Sequence, residues 1–153
     1  MKKCFACRSE KMSIRPMPDE IEVAGYVFKT NLQANSCGAC GEHTFPAKEV
    51  ARFEVAVAQK LCELGEHSGE AFRFMRKAID IKAIELAQLL GTTPETISRW
   101  ENAKVEVDEG AFLVLGDLVD DYRTGSSRTR NKLAALRAPK QEKPQNISIE
   151  LTA

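Results

Sequence analysis

Long apolar runs are absent from this 153-residue sequence, and histidine is scarce, with two copies. No segment approaches the roughly 20 apolar residues that a membrane-spanning helix needs. The N-terminal stretch MKKCFACRSEK also lacks the apolar centre of a signal peptide. These absences favour a cytoplasmic protein without a membrane partner, in a compartment where thiols stay reduced. Because no Ser/His/Asp, Cys/His or open metal constellation stands out, the sequence does not predict an enzyme.

Four of the five cysteines form two C-x-x-C pairs, Cys4 with Cys7 and Cys37 with Cys40. Each pair can present two thiolates to one ion, and the chain between the pairs is long enough to run out and back as a hairpin. The alternating segment EIEVAGYVFKTNLQANS predicts its two strands, with a turn at Gly25. We therefore expect a zinc ribbon with one structural Zn²⁺ per chain. A redox dithiol or two disulfides are the alternatives.

Two further residues near this segment carry metal-binding or nucleophilic chemistry. We expect His43 to face solvent, because four cysteines already complete a tetrahedral shell. Cys62 lies in a predicted helix over residues 46–64, whose apolar stripe consists of Val50, Phe53, Val57, Leu61 and Leu64. The stripe predicts packing against the ribbon or the following domain. A buried, unreactive thiol is the expectation for Cys62.

The segment LAQLLGTTPETISRWENAK predicts two helices joined by a tight turn. Gly91 suits the positive-φ end of the first helix, while Thr93 and Pro94 are a strong start for the second. Ala87 is small where the helices cross, and Ile97 plugs the angle between them. The stretch resembles the phage-repressor type of helix-turn-helix over roughly residues 70–122, with Trp100, Glu101 and Asn102 at positions where that family has an apolar residue, Glu and a polar residue. An unrelated helical bundle is the alternative.

The second helix is predicted to read DNA. If Ile97 and Trp100 point into the core, Glu95, Thr96 and Arg99 turn outward at about 100° per residue. Arg99 is the expected principal base reader, since its guanidinium can donate two hydrogen bonds to guanine. The expected phosphate contacts are Lys82, Thr93, Asn102 and Lys104.

Charge is distributed unevenly although the net charge is zero. Residues 69–123 carry seven basic and eleven acidic side chains, a net of −4, whereas residues 124–153 carry six and two, a net of +4. The acidic balance counts against strong nonspecific DNA affinity. Much of the acid lies on the helix predicted after the motif, where it can face away from a duplex.

The resulting fold class is α+β, in four segments: a zinc ribbon (1–45), a linking helix (46–67), a helix-turn-helix domain (68–123) and a basic, largely disordered tail (124–153). Ser68 is predicted to cap the helix that opens the third segment. A short helix is expected near residues 127–137, and ISIEL can form a strand. We expect a homodimer, because one helix carries a surplus of apolar residues: Phe112, Leu113, Leu115, Leu118 and Val119.

A four-cysteine ribbon followed by a linking helix and a repressor-type helix-turn-helix resembles the MqsA-type antitoxins, also called YgiT-type zinc-finger/helix-turn-helix proteins, over about residues 1–122. The resemblance implies that the zinc domain neutralises a ribonuclease-like toxin and that the helix-turn-helix dimer binds a palindromic operator. Two departures concern DNA contacts: Lys82 and Ala83 replace the usual Ser or Thr followed by Gln, and Glu95 replaces a base-reading Asn. A stand-alone transcription regulator and a protein-binding adaptor remain the other interpretations.

Overall fold

The computed structural model describes residues 3–140, 142 and 146–152. Three strands come first: β1 (Met12–Val23), β2 (Tyr26–Cys37) and β3 (His43–Thr44). Within the described residues six helices follow: α1 (Ala47–Glu63), α2 (Gly69–Ala78), α3 (Ala83–Leu90), α4 (Pro94–Glu101), α5 (Glu109–Thr124) and α6 (Arg128–Arg137). The strands form one antiparallel sheet in the order β1-β2-β3. The α+β fold class is confirmed.

The hairpin of β1 and β2 is paired residue for residue along its whole length. Its two-residue turn holds Ala24 (φ 53°) and Gly25 (φ 79°), both left-handed, as in the type I′ turns that match the twist of paired strands. The predicted turn at Gly25 is confirmed. At the other end the register sets Met12 opposite Cys37, so the segment that precedes β1 lies beside the cysteines at and just after the end of β2.

Helix α1 packs mainly against α2 and α5, and less extensively against β2. Three residues of its predicted stripe are buried as expected: Phe53, Val57 and Leu61. Val50 is partly buried at the edge of the same core. The prediction was wrong for Leu64, which is 46% exposed because the helix ends at Glu63 and Leu64 is its C-cap.

The starts of α2 and α5 are fixed by side-chain caps. Ser68 accepts a hydrogen bond from the backbone N–H of Ala71 at 3.3 Å, as predicted. Asp108 accepts one from the N–H of Ala111 at 2.8 Å. Each cap satisfies a backbone donor that the first turn of a helix leaves free.

Helix α5 is the central helix of the domain and does not present the apolar surface expected for a dimer. Its apolar residues pack against α1, α2 and α6 of the same chain. Four of the five side chains named for the dimer surface are buried inside this core: Phe112, Leu115, Leu118 and Val119. Only Leu113 of that set stays exposed, at 63%. The apolar surplus inferred from the sequence was therefore wrong.

The tail begins with the helix that the sequence predicts. The ordinary N-cap position of α6 is Ser127, whose side chain makes no capping bond. Instead, the carboxylate of Asp121 on α5 accepts a hydrogen bond from the N–H of Thr129 at 2.6 Å. Residues 147–151, the ISIEL segment, form no strand in the described structure. The predicted disorder partly concerns residues 141, 143–145 and 153, which lie outside the described residues.

Candidate metal centre and DNA-binding surface

The four paired cysteines come together at the open end of the hairpin. Their sulfur atoms all lie within 4.8 Å of one another. Two of these separations cross between the pairs: Cys4 Sγ lies 3.7 Å from Cys40 Sγ, and Cys7 Sγ lies 3.6 Å from Cys37 Sγ. These separations exceed the S–S bond length of about 2.05 Å, and the cysteines are free rather than disulfide-bonded.

The sulfur positions fit a tetrahedral metal site. A Zn–S bond of about 2.3 Å places two ligand sulfurs of a regular tetrahedron about 3.8 Å apart. The two separations between the pairs agree with that edge to within about 0.2 Å. Four soft thiolate ligands in this geometry suit zinc or iron, and they leave no coordination position for substrate. The chain therefore holds four cysteines positioned to bind one metal ion.

Both C-x-x-C pairs adopt the same local turn. In the first, the N–H of Arg8 donates to the carbonyl of Cys4 at 2.9 Å; in the second, the N–H of Gly41 donates to the carbonyl of Cys37 at 3.0 Å. Arg8 (φ 63°) and Gly41 (φ 80°) are both left-handed. The two turns are thus local equivalents that converge on one point, although the sequence supplies glycine in only one of them.

The pairs are also joined to each other through the backbone. The N–H of Gly38 donates to the carbonyl of Lys11 at 2.8 Å, which ties the second turn to the chain leaving the first. A Cβ on Gly38 would lie 3.5 Å from that same oxygen, an ordinary contact. This backbone bond therefore helps to set the approach of the two turns that carry the four thiols.

Hydrogen bonding and burial give the thiols of Cys37 and Cys40 different pKa values. The backbone N–H groups of Cys40 and Ala39 lower the pKa of Cys37 to about 6. For Cys40 the N–H of Glu42 acts in the same direction, but the hydrogen bond with Cys7, burial and the other thiols together raise its pKa to about 12. Four thiols this close together oppose one another's ionisation, and a bound cation would offset that repulsion.

The other two candidate residues lie outside the cluster. His43 is half-buried rather than facing solvent freely, because its ring packs edge-on against Phe45 with centroids 5.5 Å apart. Cys62 is also half-buried, and its sulfur points at Gly116 of α5, where a Cβ would lie 2.3 Å away. Burial and the nearby carboxylates of Asp120 and Asp117 raise the pKa of Cys62, which keeps the thiol protonated and unreactive.

Helices α3 and α4 form the predicted helix-turn-helix. Gly91 ends α3 in the left-handed conformation (φ 67°). Thr93 caps α4 by accepting from the N–H of Thr96 at 3.2 Å, with Pro94 as the first helical residue. Ala87 and Ile97 are buried at the crossing. The local chemistry read from the sequence is confirmed at each of these positions.

Helix α4 is held at its C-terminal end by contacts that the sequence did not predict. Glu101 forms a two-point ion pair with the guanidinium of Arg76 on α2, and the same guanidinium donates to the carbonyl of Ile81 at 2.8 Å. A Cβ on Gly69 would lie 2.1 Å from the carbonyl oxygen of Trp100, so only glycine allows this approach. Glu101 stood out in the sequence as a motif residue, but nothing in the sequence identified its partner.

The residues predicted to read bases lie on the outer side of α4. Glu95 and Arg99 are exposed, Thr96 is half-buried, and Trp100 packs edge-on against Phe72 with centroids 5.7 Å apart. Within the described part of the chain, no carboxylate lies within ion-pair distance of Arg99. Its guanidinium is therefore free to meet a ligand.

The residues predicted to contact phosphates are all exposed: Lys82, Thr93, Asn102 and Lys104. Two of them already have internal roles. The hydroxyl of Thr93 caps α4 and lies 3.1 Å from that of Thr96. The amide nitrogen of Asn102 donates to the carbonyl of Ser98 at 2.7 Å. Lys82 and Lys104 keep their ammonium groups free of such bonds in the described structure, and are the better placed of the four.

Comparison with known proteins agrees with this geometry. A helix-turn-helix family model matches residues 72–112, from α2 to the start of α5. A search of curated proteins finds no match to the chain. Among the described residues, no helix is both long and apolar enough to span a bilayer. The chain thus combines a helix-turn-helix domain, typical of DNA-binding regulators, with a ribbon whose four cysteines are placed to bind a metal ion.

Proposed function

We propose that this protein is a zinc-containing transcriptional repressor that acts as the antitoxin of a type II toxin–antitoxin pair. The observation that carries the DNA-binding part is the exposed, unpaired guanidinium of Arg99 on a rigidly held α4. The antitoxin part rests on the resemblance between this order of domains and the MqsA-type family. An enzymatic role has no support from the described side chains.

In this proposal α4 enters the major groove, and Arg99 donates two hydrogen bonds to the O6 and N7 of a guanine. Thr96 would touch a thymine methyl or a phosphate. Glu95 can only accept, which favours a cytosine N4 partner and disfavours phosphate. Lys82 and Lys104 would fix the register of the helix through the sugar–phosphate backbone, with Thr93 and Asn102 as further phosphate contacts.

The cysteine cluster would hold one structural Zn²⁺ through Cys4, Cys7, Cys37 and Cys40. The ribbon has little apolar core of its own. The buried hairpin residues Val23 and Leu32 pack into the core formed with the helices instead. Zinc binding is worth roughly 10 to 16 kcal/mol in zinc-finger peptides, enough to fold such a unit. The metal would cross-link the two C-x-x-C turns, and the four thiolates would orient these turns around it.

The ribbon also offers a surface for the proposed toxin. Phe5 is 67% exposed beside the cysteine cluster, and Ile14 is 73% exposed on the hairpin face turned away from the helices. In this proposal the toxin would cover these two side chains. Co-purification of the untagged product of the adjacent gene with the tagged protein would support the antitoxin role. If that gene encodes no ribonuclease-like protein and nothing binds, the stand-alone regulator is the better reading.

Dimerisation on a palindromic operator is the remaining element. Two recognition helices related by a two-fold axis would read half-sites about 34 to 36 Å apart. Since α5 retains only Leu113 as an exposed apolar residue of the set expected there, the dimer would form through a smaller α5 surface or on DNA itself. A strictly monomeric species at micromolar concentration, with and without DNA, would argue against the palindrome.

The deciding experiment is DNA binding by the Arg99→Ala variant. On the DNA upstream of the protein's own gene we expect a loss of about 1 to 3 kcal/mol, with little change on random DNA. Lys104→Ala should weaken both alike and make the salt dependence shallower. Arg123→Ala, on α5, is the matched control for loss of one exposed arginine. Equal binding of the Arg99→Ala variant and the parent would show that Arg99 does not read bases, and failure of the parent to bind this DNA at low salt would favour the adaptor over the repressor.

A further inference from the structure

Helix α6 is strongly basic and lies beside the helix-turn-helix. Its ten residues include no acidic side chain and four basic ones: Arg128, Arg130, Lys132 and Arg137. The segment it packs against carries a net charge of −4. A duplex approaching α4 therefore meets an acidic domain with one basic helix attached to it.

The position of α6 is fixed by three contacts with the rest of the domain. Leu133 is 9% exposed and belongs to the hydrophobic core. The carboxylate of Asp121 caps the first turn through the N–H of Thr129. The helix contacts both α5 and α3. Its basic side chains are consequently presented from a fixed scaffold.

Helix α6 runs alongside α3 in the same direction. Near its start, Arg130 lines a small cavity of about 70 Å³ together with Ile81, which directly precedes α3. At its end, the guanidinium of Arg137 packs over Gly91, the residue that caps the C-terminus of α3. A Cβ at Gly91 would lie 2.3 Å from the guanidinium carbon. The helix thus spans α3 from one end to the other.

Arg130 and Arg137, named here the basic flank, point in nearly the same direction. At about 100° per residue, the seven-residue spacing leaves them only about 20° apart around the helix axis. Lys132 lies about 140 to 160° away from both on the same count. One side of α6 therefore carries both arginines, and the other carries Lys132.

The basic flank lies within reach of a duplex bound by α4. Gly91 is three residues before Pro94, so the Arg137 guanidinium packs against a residue that lies within about 11 Å of the first residue of α4. The opposite end of the flank adjoins Ile81 and hence Lys82, a predicted phosphate contact. The flank therefore extends the expected phosphate-binding surface along the whole of α3.

We propose that Arg130 and Arg137 bind the phosphates that flank the major groove, so that α6 is part of the DNA-binding surface. This inference rests on the proposed DNA-binding function. The helix-turn-helix region has a net negative charge, which repels the DNA phosphates. The two arginines of the basic flank add positive charge beside it and so offset this repulsion. Binding would be sequence-independent at these positions, since phosphate contacts set orientation without reading bases.

The test is the salt dependence of binding to a random-sequence DNA duplex of about 30 base pairs, on which phosphate contacts dominate. Each lost phosphate contact lowers the slope of log K against log salt by about 0.9, so Arg130→Gln/Arg137→Gln should lower it by about 1.8. Lys132→Gln, on the opposite side of the same helix, should leave the slope unchanged. Arg130→Lys/Arg137→Lys, which keeps both charges, should restore it and thereby separate charge loss from damage to the fold.

Each outcome has a separate meaning. An unchanged slope in the Gln double variant, with the parent protein binding DNA, overturns the role of the basic flank but leaves the proposed function standing. A parent protein that fails to bind any duplex at low salt overturns both. An equal decrease for Lys132→Gln would show that diffuse charge on the whole helix, and not the flank, is responsible.

Discussion

Arg76 on α2 and Glu101 at the end of α4 form a nearly buried ion pair, with side chains 11% and 8% exposed. The guanidinium reaches both carboxylate oxygens and also the carbonyl of Ile81, ahead of α3. One side chain therefore links α2 to the end of α4 and to the segment that leads into α3. This link helps to hold α4 in its orientation against the rest of the domain.

Glu101→Ala should lower the free energy of unfolding by about 3 to 5 kcal/mol, because it leaves the Arg76 guanidinium buried without its partner. Arg52→Ala removes a comparable pair with Glu49, in which the arginine is 71% exposed, and should cost about 1 kcal/mol or less. Urea unfolding followed by circular dichroism measures both. If the two variants lose similar amounts of unfolding free energy, the buried ion pair stabilises the protein no more than the exposed one does.

Gly116→Ala should destabilise the protein by about 1 to 3 kcal/mol, since the new methyl group collides with the sulfur of Cys62. In a Cys62→Ala background the same change should be neutral or stabilising by up to about 1 kcal/mol, because alanine favours helix more than glycine does. A double-mutant cycle in urea gives the coupling directly. Additive effects would show that the contact carries no energy.

Replacing any one of Cys4, Cys7, Cys37 or Cys40 by Ser should remove the stoichiometric metal. Elemental analysis of the purified protein should find one zinc per chain in the parent and in Cys62→Ser, the matched control. A strong chelator should unfold the ribbon while the helical domain keeps its structure, because the helical core uses no cysteine of the cluster. Ribbon resonances that persist after chelation would argue against a structural metal.

Asp121→Asn should weaken the attachment of α6 in a pH-dependent manner. The N–H of Thr129 lowers the pKa of Asp121 below its ordinary value of 3.8, so the folded state favours the carboxylate. The stability that this provides is fully present above pH 3.8, and it is lost as the pH falls through the lower pKa that Asp121 has in the folded protein. Unfolding at pH 7 should separate parent from variant, and unfolding below both pKa values should not. Asp120→Asn, one residue away, is the control.

Local structure was predictable wherever neighbouring residues set it. The caps at Ser68 and Thr93, the turn at Gly25 and the end of α3 at Gly91 all depend on backbone groups within a few residues, and the structure confirms each. The two C-x-x-C pairs were also predictable, because cysteines three residues apart bring their sulfurs together through local chain geometry alone. The sequence by itself determined these elements and the grouping of the four thiols.

Tertiary packing decided what sequence spacing could not. The apolar residues of α5 looked like surplus surface because the sequence does not show that α1, α2 and α6 cover them from three sides. The fold brings Arg76 into contact with Glu101, which lies 25 residues further along the chain, and no spacing in the sequence predicts that ion pair. The closeness of Arg137 to Gly91 likewise follows from the course of α6 along α3. Such contacts depend on which elements meet in space, and no local pattern encodes that.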